Sequence, residues 1–146
     1  MRDDGTVLLV DPERHSIVAF EEALRDRVSV VVCTDFTTAR TRLLENPPEL
    51  LVTNLRLEAY NGLHLVYLAA TLGPGARCIV YSDHEDALLM REARSAGAEY
   101  ESRQRIPYVL ASYADARQPD YREPGPIDLE RPQPSRRGRR YASVRT

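Results

Sequence analysis

Glu49-Leu50-Leu51-Val52-Thr53-Asn54-Leu55-Arg56-Leu57, with Asn61-Gly62-Leu63 just beyond, is the stretch on which the fold turns. Leu50 to Thr53 is a short apolar run without polar alternation, the pattern of a strand covered on both faces, as in a parallel sheet. Asn54 ends the run in an amide, and Gly62 follows eight residues later. A strand that stops on a polar side chain and passes through glycine into a new apolar stretch predicts a strand, a loop and a helix over Leu63 to Leu72.

Outward from this run the same alternation repeats in both directions. Upstream, Thr6-Val7-Leu8-Leu9-Val10 is a second such strand, ended by Asp11-Pro12-Glu13. Asp11 is placed to cap the next helix with Pro12 at its first position, and Ile17, Val18, Phe20 and Leu24 supply an apolar stripe over about residues 13 to 25. Val28 to Cys33 predicts a strand, Phe36 to Glu45 a helix, and Pro47-Pro48 a break. Downstream come the turn Gly73-Pro74-Gly75, a strand over Cys78 to Tyr81, and a helix from about Glu85 to Ala96 closed by Gly97. A short strand over Glu99 to Ser102 and a helix over Pro107 to Ala116 complete five βα units. Alternating strands and helices require right-handed crossovers and a doubly wound parallel sheet, whose ligand crevice lies at the carboxyl ends of the strands. Asp11, Asn54 and Ser82 fall at those ends.

Composition divides the chain into a domain over residues 1 to 116 and a tail over 117 to 146. Five of the ten prolines lie in the tail, and its eight Arg against four acids leave +4; the chain total of −2 then leaves −6 on the domain. So polar a segment buries too little apolar surface to offset its ordering entropy and is expected to be disordered. Every basic residue other than histidine is Arg, which excludes any mechanism that needs a lysine. Cys33 and Cys78 sit in β-branched runs and read as small buried hydrophobes. His15, His64 and His84 lack metal-ligand spacing and read as solvent-facing. No apolar run approaches the ~20 residues of a membrane span and the N-terminus lacks a signal-peptide core, so the expectation is a cytoplasmic protein without a membrane contact.

Residues 6 to about 116 resemble response-regulator receiver domains of the CheY-like superfamily, most clearly in Val7 to Glu13, Leu50 to Leu65 and Ile79 to Ser82. The resemblance implies a flavodoxin-like (βα)5 sheet in the strand order 2-1-3-4-5. It also implies a phosphoacceptor site, in which an acidic pair and a nucleophilic Asp hold Mg²⁺, a Ser or Thr contacts the phosphoryl group, and a Lys pairs with it. Three carboxylates attract a hard cation, and cation and ammonium together neutralise the incoming charge. Against that pattern, Asp11 matches the first acid, but Pro12 stands in place of the second. Glu13 either reaches back toward the crevice or answers the helix dipole. Asn54 replaces the phosphoacceptor, and an amide oxygen is neither anionic nor nucleophilic enough to form an acyl phosphate; it either does new chemistry or satisfies nearby backbone. Ser82 fits the hydroxyl position or is an ordinary turn residue. Arg103 is the nearest basic residue to the lysine position, although the spacing from Gly97-Ala98 is one residue short and the following proline is missing. Tyr100 matches the family's switch aromatic or is a half-buried strand tyrosine.

These losses point to a divergent receiver without a phosphoacceptor, in which Mg²⁺ binds weakly or not at all, no cofactor is needed and no enzymatic activity is expected. The resemblance places the partner face on the fourth helix, fifth strand and fifth helix, here Leu88, Leu89, Arg91, Glu92, Tyr100, Tyr108 and Ser112. A protein partner in bacterial signalling is the leading expectation. The alternative is nucleic-acid binding through the Arg-rich tail, with a salt-dependent affinity. A flavodoxin-like enzyme or nucleotide binder would need a phosphate-cradling Gly loop or a catalytic cluster. Asp83-His84 at the crevice mouth has no nucleophile beside it.

Overall fold

The computed structural model describes residues 6–73 and 75–117; of the tail expected over 117 to 146 only Arg117 is described, and it ends the last helix rather than beginning a tail, while 118 to 146 and Pro74 within the predicted turn lie outside the described residues. In chain order the elements are β1 (Thr6–Val10), α1 (Arg14–Leu24), β2 (Ser29–Cys33), α2 (Phe36–Glu45), β3 (Leu50–Asn54), β4 (Arg56–Leu57), β5 (Tyr60–Asn61), α3 (Leu63–Leu72), β6 (Arg77–Ser82), α4 (Ala87–Ser95), β7 (Glu99–Ser102) and α5 (Ile106–Arg117), with a short 3₁₀ turn over Arg103–Arg105. Five strands form a parallel sheet in the order β2-β1-β3-β6-β7. Counted along the chain, the five strands of this sheet keep the expected succession 2-1-3-4-5; the labels run to β6 and β7 because an unexpected β4 and β5 intervene outside the sheet. They form a separate antiparallel hairpin, Arg56 opposite Asn61 and Leu57 opposite Tyr60.

The alternation of the strands divides the core. Leu8, Val10, Leu51 and Val80 join one cluster with Leu43, Leu65 and Ala93, while Val7, Leu9, Leu50, Val52, Ile79 and Tyr81 join the other with Phe20, Leu24, Ile106 and Leu110. β1 and β3 are buried along their whole length, as their unbroken apolar sequences require. Truncating a leucine such as Leu51 to alanine would cost about 2–5 kcal/mol through lost transfer energy and a cavity.

Aspartates cap two of the helices. Asp35 caps α2, accepting from the Thr38 N–H at 2.7 Å, and Asp86 caps α4 through the N–H groups of Leu88 and Leu89. Ala96 ends α4, and Gly97 follows with φ +95°, a left-handed backbone suited to glycine. At α1 the expectation needs correction: the helix begins at Arg14, and Pro12 lies outside it. Asp11 instead accepts the Glu13 N–H at 2.8 Å in a turn before the helix, because its other oxygen is held inside the sheet end. Among the described residues no helix is long and apolar enough to cross a membrane.

Candidate functional site

Asp11 follows β1 directly, and its side chain is completely buried. One oxygen, Oδ1, accepts from Glu13 N. The other, Oδ2, accepts from the Tyr81 hydroxyl at 2.5 Å, from Arg103 Nη1 at 3.2 Å and, more weakly, from Asn54 Nδ2 at 3.4 Å. Register explains the convergence. β1 and β6 both flank β3, and Asn54 lies directly opposite Tyr81 across the β3–β6 ladder. Burial holds the Tyr81 phenol far above its ordinary pKa and the Asp11 carboxylate adds to the shift, so the hydroxyl stays protonated and donates.

Arg103, in the 3₁₀ turn after β7, supplies the cation. Its Nε donates to Asp83 Oδ1 at 2.5 Å, its Nη1 also meets the Ser16 hydroxyl, and the guanidinium lies 5.2 Å from the centroid of the Tyr81 ring. Tyr81 in turn sits edge-on against Phe20 at 5.3 Å. The stack has an apolar floor, a buried carboxylate and a planar cation, with attraction between ring and guanidinium adding to the ion pair. Arg103 Nη2 is buried with no hydrogen-bond partner among the described residues.

Asn54 Oδ1 accepts the Arg56 N–H at 2.9 Å, so the amide satisfies backbone on one side and Asp11 on the other. Ser82 is spent locally, donating to the His84 carbonyl at 2.7 Å and lying 2.5 Å from the Tyr100 hydroxyl. Both are turn and strand-packing roles. Glu13 stays at the surface, 3.2 Å from His15, and does not reach into the crevice. Asp83 is engaged by Arg103, so Asp83-His84 is not arranged as an acid/base pair. Gly62 packs so closely that a Cβ there would stand 2.4 Å from the Asn54 carbonyl oxygen. That contact is the physical reason for glycine at the Asn54–Gly62 interval.

The structure brings Asp11, Asn54 and Arg103 together, sets Ser82 beside them, and leaves Pro12 without a polar atom to offer. Tyr81 and Ser16 belong to the same network, and sequence reasoning assigns no role to either. Tyr81 reads as one more apolar residue of a buried strand, and only the β3–β6 register reveals its partner. Along the surface expected to meet partners, Leu88 and Tyr108 are 59% and 73% exposed, and Arg91 and Glu92 are exposed as well. Ser112 is also exposed, whereas Leu89 is partly buried against the core. Tyr100, on the same face, takes the half-buried strand position: it packs on the core and turns its hydroxyl to Ser82.

The donor set does not fit a divalent cation. One carboxylate faces the pocket with both oxygens already accepting, the neighbouring Pro12 side chain offers no oxygen, and a guanidinium lies where a cation would be repelled. Among the described residues no three His, Cys, Asp or Glu side chains gather where they could hold a metal. Cys33 and Cys78 are buried free thiols, and burial pushes Cys78 up to about 11, as expected of inert cysteines.

No protein-family model matches the chain, and no curated protein matches it. Solved structures do. A CheY-like response regulator receiver domain protein from Methanospirillum hungatei superposes with a TM-score of 0.67 at 16% identity, covering 77% of this chain and 94% of its own. A response regulator from Thermotoga maritima gives a TM-score of 0.64 at 24% identity, with 75% and 94% covered. One from Burkholderia pseudomallei, carrying a phosphorylated aspartic acid, gives 0.65 at 21%, with 77% and 70% covered. The chain thus has the CheY-like α/β fold of response-regulator receiver domains.

Proposed function

We propose that this chain is a receiver-type module of signal transduction that acts without phosphorylation, by presenting a constitutive protein-binding surface in the cytoplasm. The observation that carries the reading is the saturation of Asp11. In the receiver chemistry the first acid serves Mg²⁺, whereas here its oxygens are taken by Tyr81, Arg103, Asn54 and the Glu13 amide. With an amide at 54, no side chain at that strand end can form an acyl phosphate. The surface around Leu88, Arg91, Glu92, Tyr108 and Ser112 remains open for a partner.

The test is binding to partner protein recovered on immobilised chain, measured with and without acetyl phosphate and Mg²⁺. Equal binding in both conditions, lost in Leu88→Asp and Tyr108→Ala, is the expected result. A rise in affinity on acetyl phosphate treatment, or radiolabel on the wild-type chain, overturns the proposal.

A second reading rests on the net +4 of residues 117 to 146. It predicts DNA or RNA affinity that falls steeply with salt and disappears when 118 to 146 are deleted. Affinity without a salt slope would rule it out.

A further inference from the structure

The two edges of the sheet are built differently. β7, at one edge, alternates Glu99-Tyr100-Glu101-Ser102, and its acids pair with Arg77 and Arg105. Charges of this kind discourage an added strand. β2, at the other edge, is Ser29-Val30-Val31-Val32-Cys33, with no charge and no proline. It bonds to β1 on one side, and among the described residues no hydrogen bond is made to its outer side. Its three valines stay only partly covered although they flank both core clusters.

Beside this edge, α1 turns a ribbon of charge and one apolar side chain outward. Val18 is 56% exposed, and a groove of about 300 Å³ lies between α1 and β2, lined by Val18, Leu24, Val28 and Val30 together with Glu21, Glu22, Asp26 and Arg25. The polar side chains of α1 are ordered about Val18: the Arg14 cation and the His15 imidazole precede it by one turn, and Glu21 and Glu22 follow by one turn; within the chain His15 lies 3.2 Å from Glu13 and Glu22 3.9 Å from Arg25, both exposed contacts. All four are exposed. An antiparallel copy of the helix, related by a two-fold axis through Val18, sets Arg14 opposite Glu22 and His15 opposite Glu21. A two-fold axis normal to the sheet also pairs β2 with its copy, Val31 opposite Val31 and Val30 opposite Val32, and keeps both α1 helices on one face.

We propose that the chain forms a two-fold dimer through this face, with β2 joined antiparallel to the β2 of a second copy and the α1 helices paired by charge across the seam. Such an interface is isologous, so each complementary pair occurs twice. The edge strand supplies main-chain hydrogen bonds, and Val18, Val28, Val30 and Val32 supply the apolar strip beneath the helices.

The test is sedimentation equilibrium of the full chain over a concentration series, with circular dichroism melting of each variant to establish folding. The wild type is expected to dimerise. Arg14→Glu and Glu22→Arg should each raise the dimer dissociation constant about tenfold, because exposed pairs are individually weak but doubled here. The double variant R14E/E22R should recover wild-type association, since each reversed residue again faces its opposite on the other copy. A wild type that remains monomeric throughout the series overturns the proposal. So does a dimer indifferent to both single reversals, a double variant that fails to recover, or a dimer abolished by Tyr108→Arg on the opposite edge.

Discussion

Asn54→Asp is the sharpest perturbation of the site, because it places a carboxylate where Asn54 Nδ2 now lies 3.4 Å from the buried Asp11 Oδ2. Two unit charges at that distance repel by roughly 5 kcal/mol at an effective dielectric of 20. Protonating one carboxyl relieves the repulsion, and at neutral pH that costs ~4 kcal/mol for a group of ordinary pKa near 4, which caps the penalty. Arg103 and Tyr81 already screen Asp11, so the net loss should be about 2–3 kcal/mol near pH 7.5. The carboxyl introduced at position 54 would have its pKa raised above the unfolded value. Relative stability is therefore retained below about pH 4 and lost as pH rises through the higher folded-state pKa.

Urea unfolding followed by circular dichroism, at acid and at neutral pH, reads this directly. The midpoint should drop relative to wild type at neutral pH, converge with it at acid pH, and keep its slope. Magnesium separates this account from a simple reversion. A restored site with a dissociation constant of ~0.1 mM would return ~2.7 kcal/mol at about 10 mM Mg²⁺ by mass action. With Pro12 beside it and Arg103 in the pocket, the expected gain is below about 0.5 kcal/mol, with no efficient labelling by acetyl phosphate. An Asn54→Asp variant as stable as wild type at neutral pH, or one stabilised and labelled in a Mg²⁺-dependent way, would show that the pocket can hold a second carboxylate and its cation.

Tyr81→Phe removes the 2.5 Å donor to Asp11 while keeping the ring against Phe20 and Arg103; leaving a buried carboxylate short of one donor should cost about 1–3 kcal/mol, measured by urea unfolding. Arg103→Met should cost more, about 3–5 kcal/mol, because the fully buried Asp11 then loses its part-buried counter-charge, and a loss under about 1 kcal/mol would show the pair to be dispensable. Gly62→Ala forces a methyl to 2.4 Å from the Asn54 carbonyl oxygen, and overpacking against backbone should lower stability by about 1–3 kcal/mol in thermal melts. Burial, aided by Glu49, pushes Tyr113 up to about 12. Its share of stability should be intact below the unfolded phenol pKa and lost as pH rises toward and through 12, visible as alkaline unfolding that Tyr113→Phe weakens.

The fold is legible wherever the chain repeats a strong signal. Leu50 to Thr53 and Val7 to Val10 announce buried parallel strands through unbroken apolar content, and Leu63 to Leu72 reads as a helix because glycine introduces it. The β4–β5 hairpin is not legible, since two-residue strands carry no periodicity. It depends on the turn at Glu58, whose φ is +59°, and on the Tyr60 ring stacked 4.4 Å from Phe36, a residue far off in sequence. Pro12 misleads in the same way. As a residue favoured at first helical positions it argues for an earlier start to α1, but the demands on Asp11 from β6 and from Arg103 hold the turn open until Arg14.

Arg103 shows how a site can be partly legible. Its spacing from Gly97-Ala98 argues against the family's lysine position, yet a guanidinium is longer and planar, and it reaches Asp11 and Asp83 at once from the turn after β7. That reach changes what the pocket can be. A lysine ammonium is a point charge that can move to meet a phosphoryl group, whereas Arg103 is anchored by two carboxylates, the Ser16 hydroxyl and the Tyr81 ring. Turning it toward a ligand at Asn54 would strip Asp11 of its counter-charge in the interior, a loss of the same order as the roughly 3–5 kcal/mol cost of breaking a buried pair. Few surface rearrangements return that much. The network therefore favours a single arrangement of the strand ends, and in the proposed reading the surfaces carried by α4 and α5 are held ready by the same ion pair that excludes the switch.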